Sequence, residues 1–225
     1  MLRWIALALA VALAGLPGAA RAEDAVGDWV GKVKAPAGFE LTITAHIKRG
    51  PNGLEGYSES PDQTVAKLPM TDVEATPDTL SFTVPAARGS FRGRWDPAAK
   101  GWVGALSQGG LDMPLTLTRG VPPPRPVVAG LDGEWSGVLA VPQGDLRLNL
   151  SVTTDAGGTL ALFQSPDQSP QKLVARLTRD GEQVKVELLG VGGFEGRLSG
   201  DGKAIEGEWR QMGGAFPLTL KKAGG

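Results

Sequence analysis

Leu41, Ile43, Ala45 and Ile47 alternate with Thr42, Thr44, His46 and Lys48. An extended chain turns successive side chains to opposite faces, so this run predicts a strand with one dry face and one wet one. The same alternation returns at Leu146, Leu148, Leu150 and Val152 against Arg147, Asn149, Ser151 and Thr153. Leu80, Phe82 and Val84 likewise match Val184, Val186 and Leu188. Turn formers separate the runs at Pro51-Asn52-Gly53, Asp96-Pro97, Gly109-Gly110, Asp155-Ala156-Gly157-Gly158, Asp180-Gly181 and Asp201-Gly202. Nowhere do apolar positions hold a helical period for more than a turn.

Short motifs recur in the same order. Gly27-Asp28-Trp29-Val30-Gly31 returns as Gly133-Glu134-Trp135-Ser136-Gly137, and Ser60-Pro61-Asp62-Gln63 returns unchanged as Ser165-Pro166-Asp167-Gln168. Phe91-Arg92-Gly93-Arg94 pairs with Phe194-Glu195-Gly196-Arg197, and Pro114-Leu115-Thr116-Leu117 with Pro217-Leu218-Thr219-Leu220. Two related units therefore stand in tandem, at 23–120 and 131–225. Each holds about eight short runs joined by hairpin-length turns, which predicts an antiparallel meander. A meander leaves two unpaired edges, and closure into a barrel removes them. The expected fold is all-β: two tandem antiparallel barrels of about eight strands each, lipocalin-like in outline, with a pair of β-sandwiches as the alternative. Gly31, Gly56, Gly93 and Gly104 interrupt strand-like runs where curvature or close packing is needed.

Between the units lies Val121-Pro122-Pro123-Pro124-Arg125-Pro126. Proline at this density favours extended polyproline II, so 121–130 reads as a semi-rigid linker that sets the units apart. At the other end, Arg3 precedes an apolar run from Trp4 to Leu16, closed by Pro17-Gly18 and followed by Ala20-Arg21-Ala22. This has the form of a signal peptide, 1–22, with cleavage after Ala22. The run is shorter than the ~20 residues of a membrane span. The expectation is export to the periplasm or cell exterior, with no membrane span after cleavage.

Without Arg3 and Arg21 the chain carries 21 Lys+Arg against 24 Asp+Glu, a formal charge of −3. A mixed, slightly acidic surface argues against a nucleic-acid partner, which requires a concentrated basic face. The chain has no cysteine and one histidine. That removes disulfides, thiol catalysis and every cysteine or multi-histidine metal site. No loop offers the alternating acidic ligands of a calcium site. The expectation is no cofactor and no metal.

The ordered motifs Gly-x-Trp-x-Gly, Ser-Pro-Asp-Gln, Phe-x-Gly, Gln-x-Gly-Gly and Pro-Leu-Thr-Leu resemble a small β-rich module that precedes the catalytic domain in some exported bacterial α/β-hydrolase-type proteins. The resemblance covers nearly all of both units. In that family the hydrolytic residues belong to the following domain, and no Gly-x-Ser-x-Gly nucleophile elbow occurs here. The resemblance therefore implies a tandem accessory module, not an esterase.

Candidate ligand-binding residues follow from the motifs and from the differences between the units. Asp62, Gln63, Asp167 and Gln168 offer acceptors and amide donors at a rim, although Ser, Pro and Asp also form turns for mechanical reasons. His46 lies on the wet face of its strand and Ser151 replaces it in the second unit. Catalysis would require a nucleophile such as Ser58 or Ser60 within reach, and a solvated strand histidine is the plainer reading. Trp95 and Trp102 flank a turn and align with Leu198 and Ile205. They suit either an aromatic contact platform or cross-strand packing. Trp29 and Trp135 are shared and suit the core. No carboxylate pair is placed for glycoside hydrolysis.

Three functions remain. The first is a non-catalytic binding protein whose barrels hold a small apolar or amphipathic molecule. The second is an accessory module that docks a separately encoded secreted hydrolase. The third, ranked last, is a weak hydrolase using His46. The partner is an unidentified small molecule or protein.

Overall fold

The computed structural model describes residues 25–224; the expected signal peptide lies outside them. Both units are antiparallel β meanders. The first comprises β1 (Gly27–Lys34), β2 (Glu40–Gly50), β3 (Gly53–Glu59), β4 (Leu68–Pro69), β5 (Thr71–Ala75), β6 (Thr79–Val84), β7 (Gly89–Asp96), β8 (Gly101–Gln108) and β9 (Leu111–Arg119). The second comprises β10 (Gly133–Val141), β11 (Gly144–Asp155), β12 (Gly158–Gln164), β13 (Leu173–Asp180), β14 (Gln183–Leu188), β15 (Gly192–Leu198), β16 (Ala204–Gln211) and β17 (Gly214–Lys222). A single 3₁₀ turn, Pro85–Ala87, is the helical content of the described residues. The second unit is a closed eight-stranded barrel and the first a nearly closed nine-stranded one. The barrel expectation holds over the sandwich.

The extra strand has a local cause. In the second barrel, β13 runs unbroken and closes the seam by pairing Phe163 with Leu173, Leu162 with Val174 and Ala161 with Ala175. Its counterpart in the first barrel is split into β4 and β5. Pro69 stands where the second barrel has Val174, whose N–H goes to the Gln63 carbonyl and not to the ladder, so the proline itself removes no bond from the seam. One further bond, Met70 N–H to the Gly56 carbonyl at 2.9 Å, is made before the chain leaves β3. The β5–β6 register then shifts between Thr71 and Glu74, and Asp72 adopts φ 51°. One inserted residue thus forms a bulge that bends the strand away from closure.

The shared Gly-x-Trp-x-Gly motif opens each barrel and explains itself sterically. Trp29 and Trp135 are fully buried, and each indole N–H donates to the carbonyl four residues earlier, Ala25 at 2.9 Å and Leu131 at 2.8 Å. The last strand returns beside the first and pairs a cation with each indole, Arg119 opposite Trp29 and Lys222 opposite Trp135. Arg119 lies 4.6 Å from its ring centroid and Lys222 5.4 Å from its own, a cation–π arrangement. The leading glycine has φ +133° at Gly27 and +127° at Gly133, and a Cβ there would strike the cation's side chain. The trailing glycine admits the last strand: a Cβ on Gly31 would stand 2.2 Å from the Thr116 carbonyl oxygen.

The linker is extended and is held along the second barrel. Arg125 N–H donates to the Gly157 carbonyl at 2.9 Å, and Val128 N–H to the Thr159 hydroxyl at 2.8 Å. Val128 and Leu131 are buried in the second core. The barrels nevertheless touch, contrary to the expectation that the linker sets them apart. Val174 N–H donates to the Gln63 carbonyl at 2.9 Å. Phe39, at the β1–β2 turn, lies over Gly190 at the β14–β15 turn.

Candidate functional site

Each barrel is plugged at one end and hollow at the other. The plug of the first is a cluster of three indoles, with Trp95 and Trp102 at 5.1 Å, Trp29 and Trp102 at 6.0 Å, and Trp29 and Trp95 at 6.3 Å, all edge-on. Trp102 is fully enclosed and Trp95 half-buried. Of the two readings of Trp95 and Trp102, contact platform or cross-strand packing, the geometry is that of the second: the pair faces inward across β7 and β8, where Trp95 lies opposite Trp102. The alternation Phe91, Gly93, Trp95 and Trp102, Gly104, Leu106 carries this signal, since every second residue shares a face.

At the opposite end the first barrel holds a cup of about 300 Å³, walled by apolar side chains including Ile43, Leu68, Phe82, Val84 and Leu106. The second barrel holds a smaller cup of about 210 Å³ at the matching end. Two positions contribute to the difference, alongside the longer β1–β2 connection that adds Ala35, Pro36 and Phe39 to the first wall. Phe163 and Trp209 stack inside the second cup with centroids 5.1 Å apart and planes within 14°. Their counterparts in the first are Ser58 and Leu106, which leave space. Ser58 is buried and donates to the Thr44 carbonyl at 2.7 Å, so its hydroxyl is satisfied.

Ser-Pro-Asp-Gln forms the same turn over both cups. The Ser60 carbonyl accepts from Gln63 N–H at 2.9 Å and Thr64 N–H at 3.0 Å; the Ser165 carbonyl accepts from Gln168 at 3.0 Å and Ser169 at 2.9 Å. The aspartates face away from the cups and fasten the turn to the neighbouring strand. Asp62 accepts from Thr42 N–H at 2.6 Å and Asp167 from Arg147 N–H at 2.7 Å. Arg147 adds its guanidinium to Asp167 at 2.6 Å. Hydrogen bonds from that side chain, then from the Arg147 backbone, hold the Asp167 carboxyl below its ordinary value. With the turn so fixed, Gln63 and Gln168 stand at the cup rims. The motif is both a turn and a rim: its aspartates serve the first role and its glutamines reach the second.

His46 is far from this chemistry in orientation, on the outer wall of the first barrel. Its Nδ1 lies 2.7 Å from Asp28, its Nε2 3.0 Å from Glu59 and 3.1 Å from the Thr44 hydroxyl, and its ring stacks on Tyr57 at 4.5 Å. The Ser60 hydroxyl is given to Gln63 at 3.0 Å. Neither Ser58 nor Ser60 is directed at the imidazole, so the residues for nucleophilic attack are not brought together. The two ring nitrogens address different carboxylates, and among the described residues no group of three or more His, Cys, Asp or Glu converges as a metal site. Sequence reasoning missed Asp28 and Glu59 because they meet His46 only through the β1–β2 and β2–β3 registers.

Compared with known protein families and with curated proteins, the sequence matches none. Among solved structures, it is similar to a protein of unknown function of the DUF3598 family from Nostoc punctiforme, at 13% identity over 89% of this chain and 97% of that one, with a TM-score of 0.26. It is also similar to kievitone hydratase from Nectria haematococca, at 11% identity over 88% of this chain and 89% of that one, with a TM-score of 0.24.

Proposed function

We propose that this chain is an exported, non-catalytic binding protein whose first barrel holds a small apolar or amphipathic molecule in its open end. The observation that carries the reading is the 300 Å³ cup, widened by Ser58 and Leu106 where the other barrel has an aromatic pair that narrows its cup. That volume is at the lower end of the range of small-molecule sites, which are mostly apolar with a few placed polar groups. The polar groups here are Glu59, Ser60, Gln63, Thr64 and Gln108 at the mouth. The apolar wall contributes burial, at about 25 cal/mol per Å² removed from water, and the rim orients a hydroxyl or amide. Export rests on the leader-like N-terminal sequence.

Native mass spectrometry of the chain, purified without detergent from the cells that produce it, tests this. Excess mass that leaves on denaturation is expected, and its identity gives the ligand. A bare chain that instead co-purifies with a hydrolase would contradict binding in the cup and favour docking.

A further inference from the structure

The two cups each share lining residues with a third space. Between the barrels lies a cleft of about 420 Å³ whose walls include Phe39 from the first barrel and Leu188 and Val191 from the second. Phe39 also lines the first cup, while Leu188 and Val191 also line the second. Shared walls make the three spaces neighbours in series: first cup, cleft, second cup. The hydrogen bond from Val174 N–H to the Gln63 carbonyl fixes their separation, because Gln63 is on one rim and Leu173, beside Val174, is on the other.

The chemistry changes along this series. Among the described residues, neither cup is lined by Lys, Arg or His, and Glu59 at the first mouth is the one charged lining group. The cleft instead presents two cations, Lys185 and Arg210, and two carboxylates, Glu187 and Glu195. Lys185 and Glu195 are 2.8 Å apart. Two dry compartments thus flank a charged but balanced one. A simple fatty acid fits this poorly, since no cation waits inside either cup for its carboxylate and burying an unpaired charge is costly.

We infer that the cups and cleft form one track for a two-armed amphiphile, with one acyl arm in each barrel and a neutral or zwitterionic junction in the cleft. This rests on the binding reading above and extends it to a ligand class, the two-tailed lipid. At roughly 30 Å³ per small group, the share of one water in the liquid, the cups take about ten and about seven groups. Arms of six carbons fit both. Phe39 is the lining residue common to first cup and cleft, and Gly190 permits its approach to the second barrel: a Cβ there would meet the Phe39 ring at 3.1 Å.

Calorimetric titration of the full chain with dihexanoyl phosphatidylcholine and with hexylphosphocholine, both below their micellar concentrations, tests the track. The expected result is one two-tailed molecule per chain against two single-tailed ones, with the two-tailed probe about a hundredfold tighter because its second arm binds intramolecularly. Val191 is 41% exposed, so Val191→Trp is tolerated by the fold while blocking the second mouth. It reduces the two-tailed advantage to less than about threefold and the single-tailed stoichiometry from two to one. Two two-tailed molecules per chain, or equal affinities for both probes, overturn the track while leaving cup binding intact. No binding of either probe overturns both.

Discussion

Beyond the tryptophan they share, the two barrels carry their indoles at opposite ends. In the first, Trp95 and Trp102 join Trp29 to close the plugged end, and the mouth is left to Ser58 and Leu106. In the second, Leu198 and Ile205 occupy the plugged end beside Trp135, and Phe163 and Trp209 narrow the mouth. The framework is otherwise the same: a buried tryptophan, a cation over it from the last strand, a glycine on each side of the motif, and an aspartate-fastened turn over the cup. A common fold thus tolerates relocation of large side chains provided one end of each barrel stays plugged. The wider cup coincides with the broken seam at Pro69 and Asp72. The barrel with more void is also the barrel with an incomplete ladder.

The sharpest way to break the comparison is to remove a shared plug. Trp29→Ala takes away the indole that Trp95, Trp102 and Arg119 pack upon, and should cost about 3–5 kcal/mol. Urea unfolding followed by near-UV circular dichroism reads the loss. Trp135→Ala should cost less, because aliphatic Leu198 and Ile205 collapse toward the space more readily than a locked indole pair.

Gly31→Ala and Gly137→Ala come next. An added Cβ would stand 2.2 Å from the Thr116 carbonyl oxygen in one barrel and 2.4 Å from that of Thr219 in the other. Overpacking of this kind costs about 1–3 kcal/mol, and the two variants should be destabilised alike in chemical denaturation. A large inequality would mean that the last strand is held differently in the two barrels.

An exchange of mouths sharpens the contrast in binding. Ser58→Phe with Leu106→Trp gives the first cup the aromatic pair of the second. It should weaken a cup-bound ligand by at least about tenfold, or about 1.4 kcal/mol. Trp209→Leu should have the opposite effect in the second cup, and the loss of indole emission marks the site in a fluorescence titration.

The smallest effect is electrostatic and belongs to the second barrel alone, since Thr42 stands where that barrel has Arg147. The Asp167 carboxyl is lowered in the folded chain, chiefly by the Arg147 side chain. Its contribution is therefore whole above the ordinary value of 3.8 and is lost as pH falls through the lowered folded value. Melting temperatures followed from about pH 5 to about pH 2 should fall slightly more steeply for the native chain than for Asp167→Asn. The pair is solvent-exposed, so salt should shrink the difference.

Much of this was legible in the chain. Period-two alternation located strands such as β2, β6, β11 and β14, and the paired motifs aligned the units closely enough to find counterparts. Ser-Pro-Asp-Gln was readable as a turn from its residue types, but not as a rim, because that depends on which strand end it overhangs. The inward Trp95 and Trp102 were within reach of the alternation and were obscured by the adjacent turn. Asp28 and Glu59 beside His46 required the strand registers. The contact of Phe39 with Gly190 was out of reach, since it depends on how two loops of different barrels meet, and no local pattern encodes that.

The most direct test of the account is a backbone NMR titration of the chain with 1-octanol, a neutral single-chain amphiphile small enough for the first cup. Saturable shifts at Ser58–Thr64 and at Leu106–Met113, around the mouth of the first barrel, are the expected result. Shifts confined to the outer wall near His46 and Tyr57, or no saturable change at all, would contradict it.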